Sequence, residues 1–206
     1  MFLRRVFGDG PTLDWKIVTA IVSSTLLILV DAYHRITPAK SYDRILLYLV
    51  VPLLVILVVF RDAPGQYGFQ VGDWKTGLGL TAGGIVLMTP LLWLVARAEP
   101  MRVYYQGALT GLPWNTFLDL FGWEFFFRGF LMFAFVRKFG PYAIWLQAVP
   151  FALAHIGKPE VETLSTIFGG FALGWMAYRT RSFLYPFVLH WFMATFVIMV
   201  AAGIVG

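Results

Sequence analysis

Glu124 and Arg128 lie four residues apart in an apolar, aromatic run from Phe121 to Phe130. Four residues is one helical turn, so the two side chains share a face and can pair. Charges in a segment long enough to cross a bilayer are costly, and by default such residues mark a functional site. Two of the three histidines, His155 and His190, also fall in apolar segments further along the chain. One carboxylate, one guanidinium and two imidazoles in apolar surroundings are the groups needed to activate water, hold an oxyanion and move a proton.

The elements that position these groups must be membrane helices. The chain has 206 residues, of which 59% are hydrophobic and 13% charged, with a mean hydropathy of +0.75. A soluble domain carries about 25% charged residues. The net charge of +5 is scattered over short loops, which reads as membrane orientation and argues against nucleic-acid binding. Cysteine is absent, which removes disulfides, thiolate metal sites and a cysteine nucleophile.

Apolar runs of sufficient length occur at residues 15–33, 43–60, 75–97, 113–137, 142–157, 160–178 and 182–205. They predict an all-α transmembrane bundle of about seven spans (six to eight) in one integral membrane domain over residues 1–206. The fifth run is short, and its end near His155 need not reach the far surface. Turn formers separate the runs, among them Pro38, Pro64, Gly65, Gly140, Pro141, Gly157 and Pro159. Residues 61–74, with Gly65, Gly68 and Gly72, read as a surface loop or a short interfacial segment. The first run follows Arg4 and Arg5 without a small-x-small cleavage pattern, so it reads as a retained helix.

Arg4, Arg5, Lys16, Arg61, Lys75, Arg137, Lys138, Arg179 and Arg181 fall on one side of this topology. They outnumber Arg35, Lys40, Arg44, Arg97, Arg102 and Lys158 on the other. The excess favours a cytoplasmic N-terminus in the cell (inner) membrane. At about 1.5 Å per residue, Glu124 and His155 each lie roughly 20 Å from the same membrane side, and His190 roughly 12 Å. A tilted bundle can bring these depths together.

Glu124 with Arg128 and Gly129, then Phe151 with His155, then His190, in that order on successive helices, resemble the CAAX protease and bacteriocin-processing family. Its members are intramembrane glutamic endopeptidases and include the type II CAAX prenyl endopeptidases. The resemblance covers about residues 113–200. The family pattern is Glu-Glu-x-x-x-Arg, Phe-x-x-x-His and His-x-x-x-Asn. Here Trp123 takes the place of the first Glu and Ala194 that of the Asn.

The resemblance implies hydrolysis of a peptide bond in a membrane-associated or lipidated polypeptide, with no cofactor. In the family the first Glu activates water and the second holds the Arg. With Trp123 at the first position, Glu124 is expected to take over as base, with His155 sharing or positioning the water, His190 stabilising the oxyanion and Arg128 orienting the carboxylate. Glu162 and Asp119 are further acids that stand in if Glu124 is not the base. Glu160 and Glu162 also suit a helix start after Pro159, where acids favour the positive dipole end.

Two other readings stay open. Glu124 with two histidines is a zinc ligand set, although His-Glu-x-x-His is absent. A family member that lost its chemistry would act as a membrane partner or immunity protein. The aromatic stripe of Phe125 to Phe127, Phe130 and Phe133 reads as lipid-facing and packing surface. Gly170 and Gly174 have the spacing for close helix contact.

Overall fold

Asp14 opens the first helix by accepting hydrogen bonds from the backbone of Lys16 and Ile17, a side-chain cap for otherwise unpaired amides. That helix, α1 (Trp15–Tyr33), begins an all-helical computed structural model that describes residues 13–205. It is followed by α2 (Lys40–Phe60), α3 (Trp74–Ala96) and the short α4 (Glu99–Tyr105). Then come α5 (114–139), α6 (Ala143–Leu153), α7 (Glu160–Thr180) and α8 (Leu184–Ala201). Helices α1, α2, α3 and α8 are long and apolar enough to cross a membrane.

The long helices alternate in direction, and ion pairs clamp both ends of the bundle. At one end Lys16 and Arg137 meet Asp62, and Arg179 meets Asp73. Lys16, Tyr67 and Arg137 hold the Asp62 carboxyl below the usual carboxylate range, although burial works against ionisation. At the other end Lys40 meets Asp31, Arg44 meets Asp119, and Lys158 meets Glu162. Lys16, Arg137 and Arg179 thus share one end and Lys40, Arg44 and Lys158 the other, while Arg4 and Arg5 lie outside the described residues.

Helix α5 is the axle. Every residue from 122 to 135 is buried, and a helix covered on all sides lies inside its bundle. The aromatic stripe is thus packing surface, as expected, but not lipid-facing. Phe125, Phe126, Phe127 and Phe130 have no exposed surface and Phe133 has 5%, so these rings face protein, not lipid. The lipid-facing role falls to helices such as α3, where only Gly77, Thr81 and Ala96 are buried. A π-helical stretch at Phe125–Leu131 interrupts α5 directly after Glu124. Wide turns of this kind inside α-helices are frequent at functional sites.

Two features were not anticipated. Helix α4 interrupts what reads as a plain connection between spans. Residues 61–74 lie largely at the surface, as expected, but Tyr67 within them is 1% exposed, and Gly68 accepts the Phe183 amide at 3.2 Å. Phe183, just before α8, is itself buried.

Helix α6 is short. Its eleven residues span about 16 Å, half of a bilayer core of about 30 Å. It ends in tight turns, with His155, Ile156 and Lys158 each donating a backbone hydrogen bond three residues back. Helix α7 packs closely on it. A Cβ added to Gly170 would lie 2.9 Å from the Ala148 Cβ, whereas one on Gly169 meets nothing. Gln147 adds a hydrogen bond to the Gly170 carbonyl at 2.8 Å. Gly170→Ala is expected to destabilise the protein by about 1–3 kcal/mol through overpacking, with Gly169→Ala neutral. Thermal unfolding of both variants in detergent checks this contrast.

Candidate active site

Glu124 ends the regular first part of α5 and is fully buried. Its Oε1 accepts two hydrogen bonds, from Arg128 Nη1 at 2.9 Å and from His190 Nδ1 at 2.6 Å. A carboxylate only accepts, so Nδ1 of His190 carries the proton of this contact, and in the neutral ring Nε2 keeps a lone pair. Oε2 of Glu124 is buried with no hydrogen-bond partner among the described residues. One oxygen thus anchors α5 to α8 while the other keeps its lone pairs.

Arg128 is also fully buried, and its guanidinium carbon lies 3.7 Å from the centre of the Phe151 ring.

His155 sits in the turn after α6 and is 3% exposed. Its Nδ1 lies 2.8 Å from the Phe151 carbonyl, which accepts, so this ring also keeps Nε2 as its free nitrogen when neutral. Thr163 and Lys158 hold the backbone of the turn by donating to the His155 carbonyl at 2.9 and 3.1 Å. No hydrogen bond joins His155 to Glu124. Aromatic rings link them instead: the Phe151 centroid lies 4.5 Å from that of His155 and 6.0 Å from that of His190.

Trp123 occupies the remaining side of His155, edge to face with ring centroids 5.6 Å apart. Arg44, from α2, lies over the indole at 4.2 Å. The same guanidinium reaches the Asp119 carboxylate at 2.6 Å. Asp119 and Trp123 lie one turn apart on α5, and Arg44 spans both. A Cβ on Gly122 would stand 2.5 Å from the Arg44 carbonyl, so only glycine lets α2 and α5 approach this closely.

The two further acids have other partners. Asp119 is engaged with Arg44. Glu162, in the first turn of α7, accepts from Lys158 and from the Tyr105 hydroxyl, each at 2.6 Å. Burial pushes the Tyr105 phenol up, and the Glu162 carboxylate adds to the effect. This triad fastens α4 to the turn that carries His155. Beside it a cavity of about 470 Å³ opens between Glu99, Val103, Tyr104 and Lys158.

Residues 102–196 match the family of type II CAAX prenyl endopeptidases described as Rce1-like. Over this stretch the chain is similar to Rce1-like domains. No curated protein and no solved structure matches the chain. The matched stretch runs from α4 into α8 and contains Glu124, Arg128, His155 and His190. The Rce1-like family is a protease family, and together with the four apolar helices it makes the chain an integral membrane protein.

Arg44 lies outside the Rce1-like stretch and escaped the sequence reading, which placed it among loop charges. Its signal was available: a basic residue within a membrane-length run needs an acidic partner, and Asp119 lies near the same end of its own run. Tyr105 carried no such signal, because α4 did not stand out from its connection.

Removing the cation at the centre of the site exposes its energetics. Arg128→Met is expected to cost about 3–5 kcal/mol by leaving the Glu124 carboxylate buried and half-paired. Adding Glu124→Gln to it is expected to recover much of that loss, as an interaction between contacting residues requires. Thermal unfolding of the single and double variants measures both.

Proposed function

We propose that this protein is an intramembrane endopeptidase that cleaves a membrane-associated or lipidated polypeptide with water activated at Glu124. The observation that carries the reading is the buried Glu124 carboxylate. Oε1 is committed to Arg128 and His190, and Oε2 has no protein partner. In this reading water sits at Oε2, within reach of the imidazole face that borders the Phe151 ring.

As water attacks the carbonyl carbon, its proton passes to the Glu124–His190 pair. The two are joined at 2.6 Å and act as one base. The sequence reading gave His190 the oxyanion; its commitment to Glu124 favours membership of the base. The tetrahedral intermediate then collapses, the C–N bond breaks, and the same pair returns the proton to the leaving amine. Throughout, Arg128 holds a compensating positive charge, so the site exchanges one neutral arrangement for another. His155 presents Nε2 to the water or the substrate amide.

A zinc mechanism draws less support. It needs Glu124 and both histidines at one point, and among the described residues no three His, Asp or Glu side chains converge in that way. The inactive reading has one observation in its favour: the Trp123 indole stands against His155, where the family pattern has its first Glu.

An assay on membrane-anchored peptides in proteoliposomes, with and without chelator, separates these readings. Glu124→Gln and His190→Ala are expected to lower the cleavage rate by about 10²–10⁴-fold, the usual contribution of general-base catalysis. Asp119→Asn and Glu162→Gln are expected to retain turnover. Wild-type rates in Glu124→Gln sink the proposed role of Glu124. Chelator-sensitive activity restored by zinc favours the metal reading, and binding without cleavage favours the inactive one.

A further inference from the structure

The proposed chemistry lacks a group to hold the substrate carbonyl oxygen. Both histidines have Nδ1 committed, His155 to the Phe151 carbonyl and His190 to Glu124. In their neutral forms each presents a lone pair at Nε2 and has no further N–H to donate. Ala194, four residues beyond His190, has no polar side chain.

Trp123 offers what is missing. Its indole is 3% exposed, and Nε1 is buried with no hydrogen-bond partner in the structure. An indole N–H usually finds a partner when buried, and leaving one unpaired costs about 1–3 kcal/mol. That cost is tolerated at the ring that touches His155. The ring is also held firmly: Arg44 lies over it at 4.2 Å, while Tyr48 and Phe127 pack on it with centroids 5.5 and 5.0 Å away. A rigid, uncharged donor of this kind is suited to an oxyanion, because it needs no reorganisation when the charge develops. Arg128 also has Nε and Nη2 without partners. Its guanidinium is stacked on Phe151 and paired with Glu124, whereas Trp123 borders the second histidine directly.

We propose that Trp123 is a substrate-binding residue whose indole N–H donates a hydrogen bond to the carbonyl oxygen of the scissile peptide. The proposal rests on the peptidase reading, in which Trp123 replaces a carboxylate without ending the chemistry. It makes the residue that most sets this chain apart from the family pattern a working part of the site.

Two variants remove the N–H: Trp123→Phe, and replacement of Trp123 by benzothienylalanine, which keeps the ring volume and so separates hydrogen bonding from packing. In the proteoliposome assay both are expected to lower kcat by roughly 10²-fold with little change in KM, the effect of losing one oxyanion donor. A second readout is independent of turnover. Protein labelled with ¹⁵N at tryptophan is titrated in micelles with N-acetyl dileucine amide. Among the eight tryptophans, the indole N–H signal missing from Trp123→Phe is expected to move downfield. Wild-type kcat in the benzothienylalanine protein overturns the proposal, as does a Trp123 signal that stays in place up to millimolar peptide. If wild type cleaves nothing, or Glu124→Gln cleaves normally, the peptidase reading or its base fails, and the titration still decides whether Trp123 binds an amide carbonyl.

Discussion

One carboxylate oxygen holds this site together. Glu124 Oε1 accepts from Arg128 on its own helix and from His190 on α8, deep among groups that offer no competing water. In such surroundings an ionised carboxylate persists only if it is paired and hydrogen-bonded. Arg128 and His190 meet that requirement together, and in doing so they fix the rotation of α5 and its contact with α8. The π-helical stretch that begins at Phe125 follows directly, where the backbone departs from regular α-geometry to seat the aromatic rings around the pair.

The rings are the insulation. Phe151 touches Arg128, His155 and His190 within a single side chain, and Phe125, Phe126, Phe127 and Phe130 close the remaining sides of α5. A wall of this kind lowers the local dielectric, which strengthens each interaction inside it and raises the cost of each group left unpaired. Orphaned atoms are therefore informative here. Glu124 Oε2 and Trp123 Nε1 are a free acceptor and a free donor on neighbouring residues of α5, one beside His190 and the other beside His155.

Stability and chemistry are divided between the ends and the middle of the bundle. The Asp62, Asp73 and Asp119 clusters tie helices together near the two ends. The Tyr105, Lys158 and Glu162 triad secures the turn behind His155. Short α6 ends in the turn that carries His155.

The apolar run lengths by themselves determined the helical architecture, since only helices of that length satisfy their backbone in lipid. They located the described helix boundaries to within a few residues, with the largest differences where α6 and α8 end early. The order Glu124, Arg128, His155 and His190 was equally legible, because each polar residue in an apolar segment stands out. The tertiary structure decided which helix lies at the centre. Lipid tails and protein interior are equally apolar, so the sequence of α5 does not say whether Phe125 to Phe130 meet lipid or other rings. It also decided that Arg44 reaches Asp119 and Trp123 across 75 or more residues of chain, and that His190, not His155, bonds to Glu124. Those outcomes depend on helix rotation and close approach at Gly122 and Gly170, which are set by packing between segments far apart in the chain.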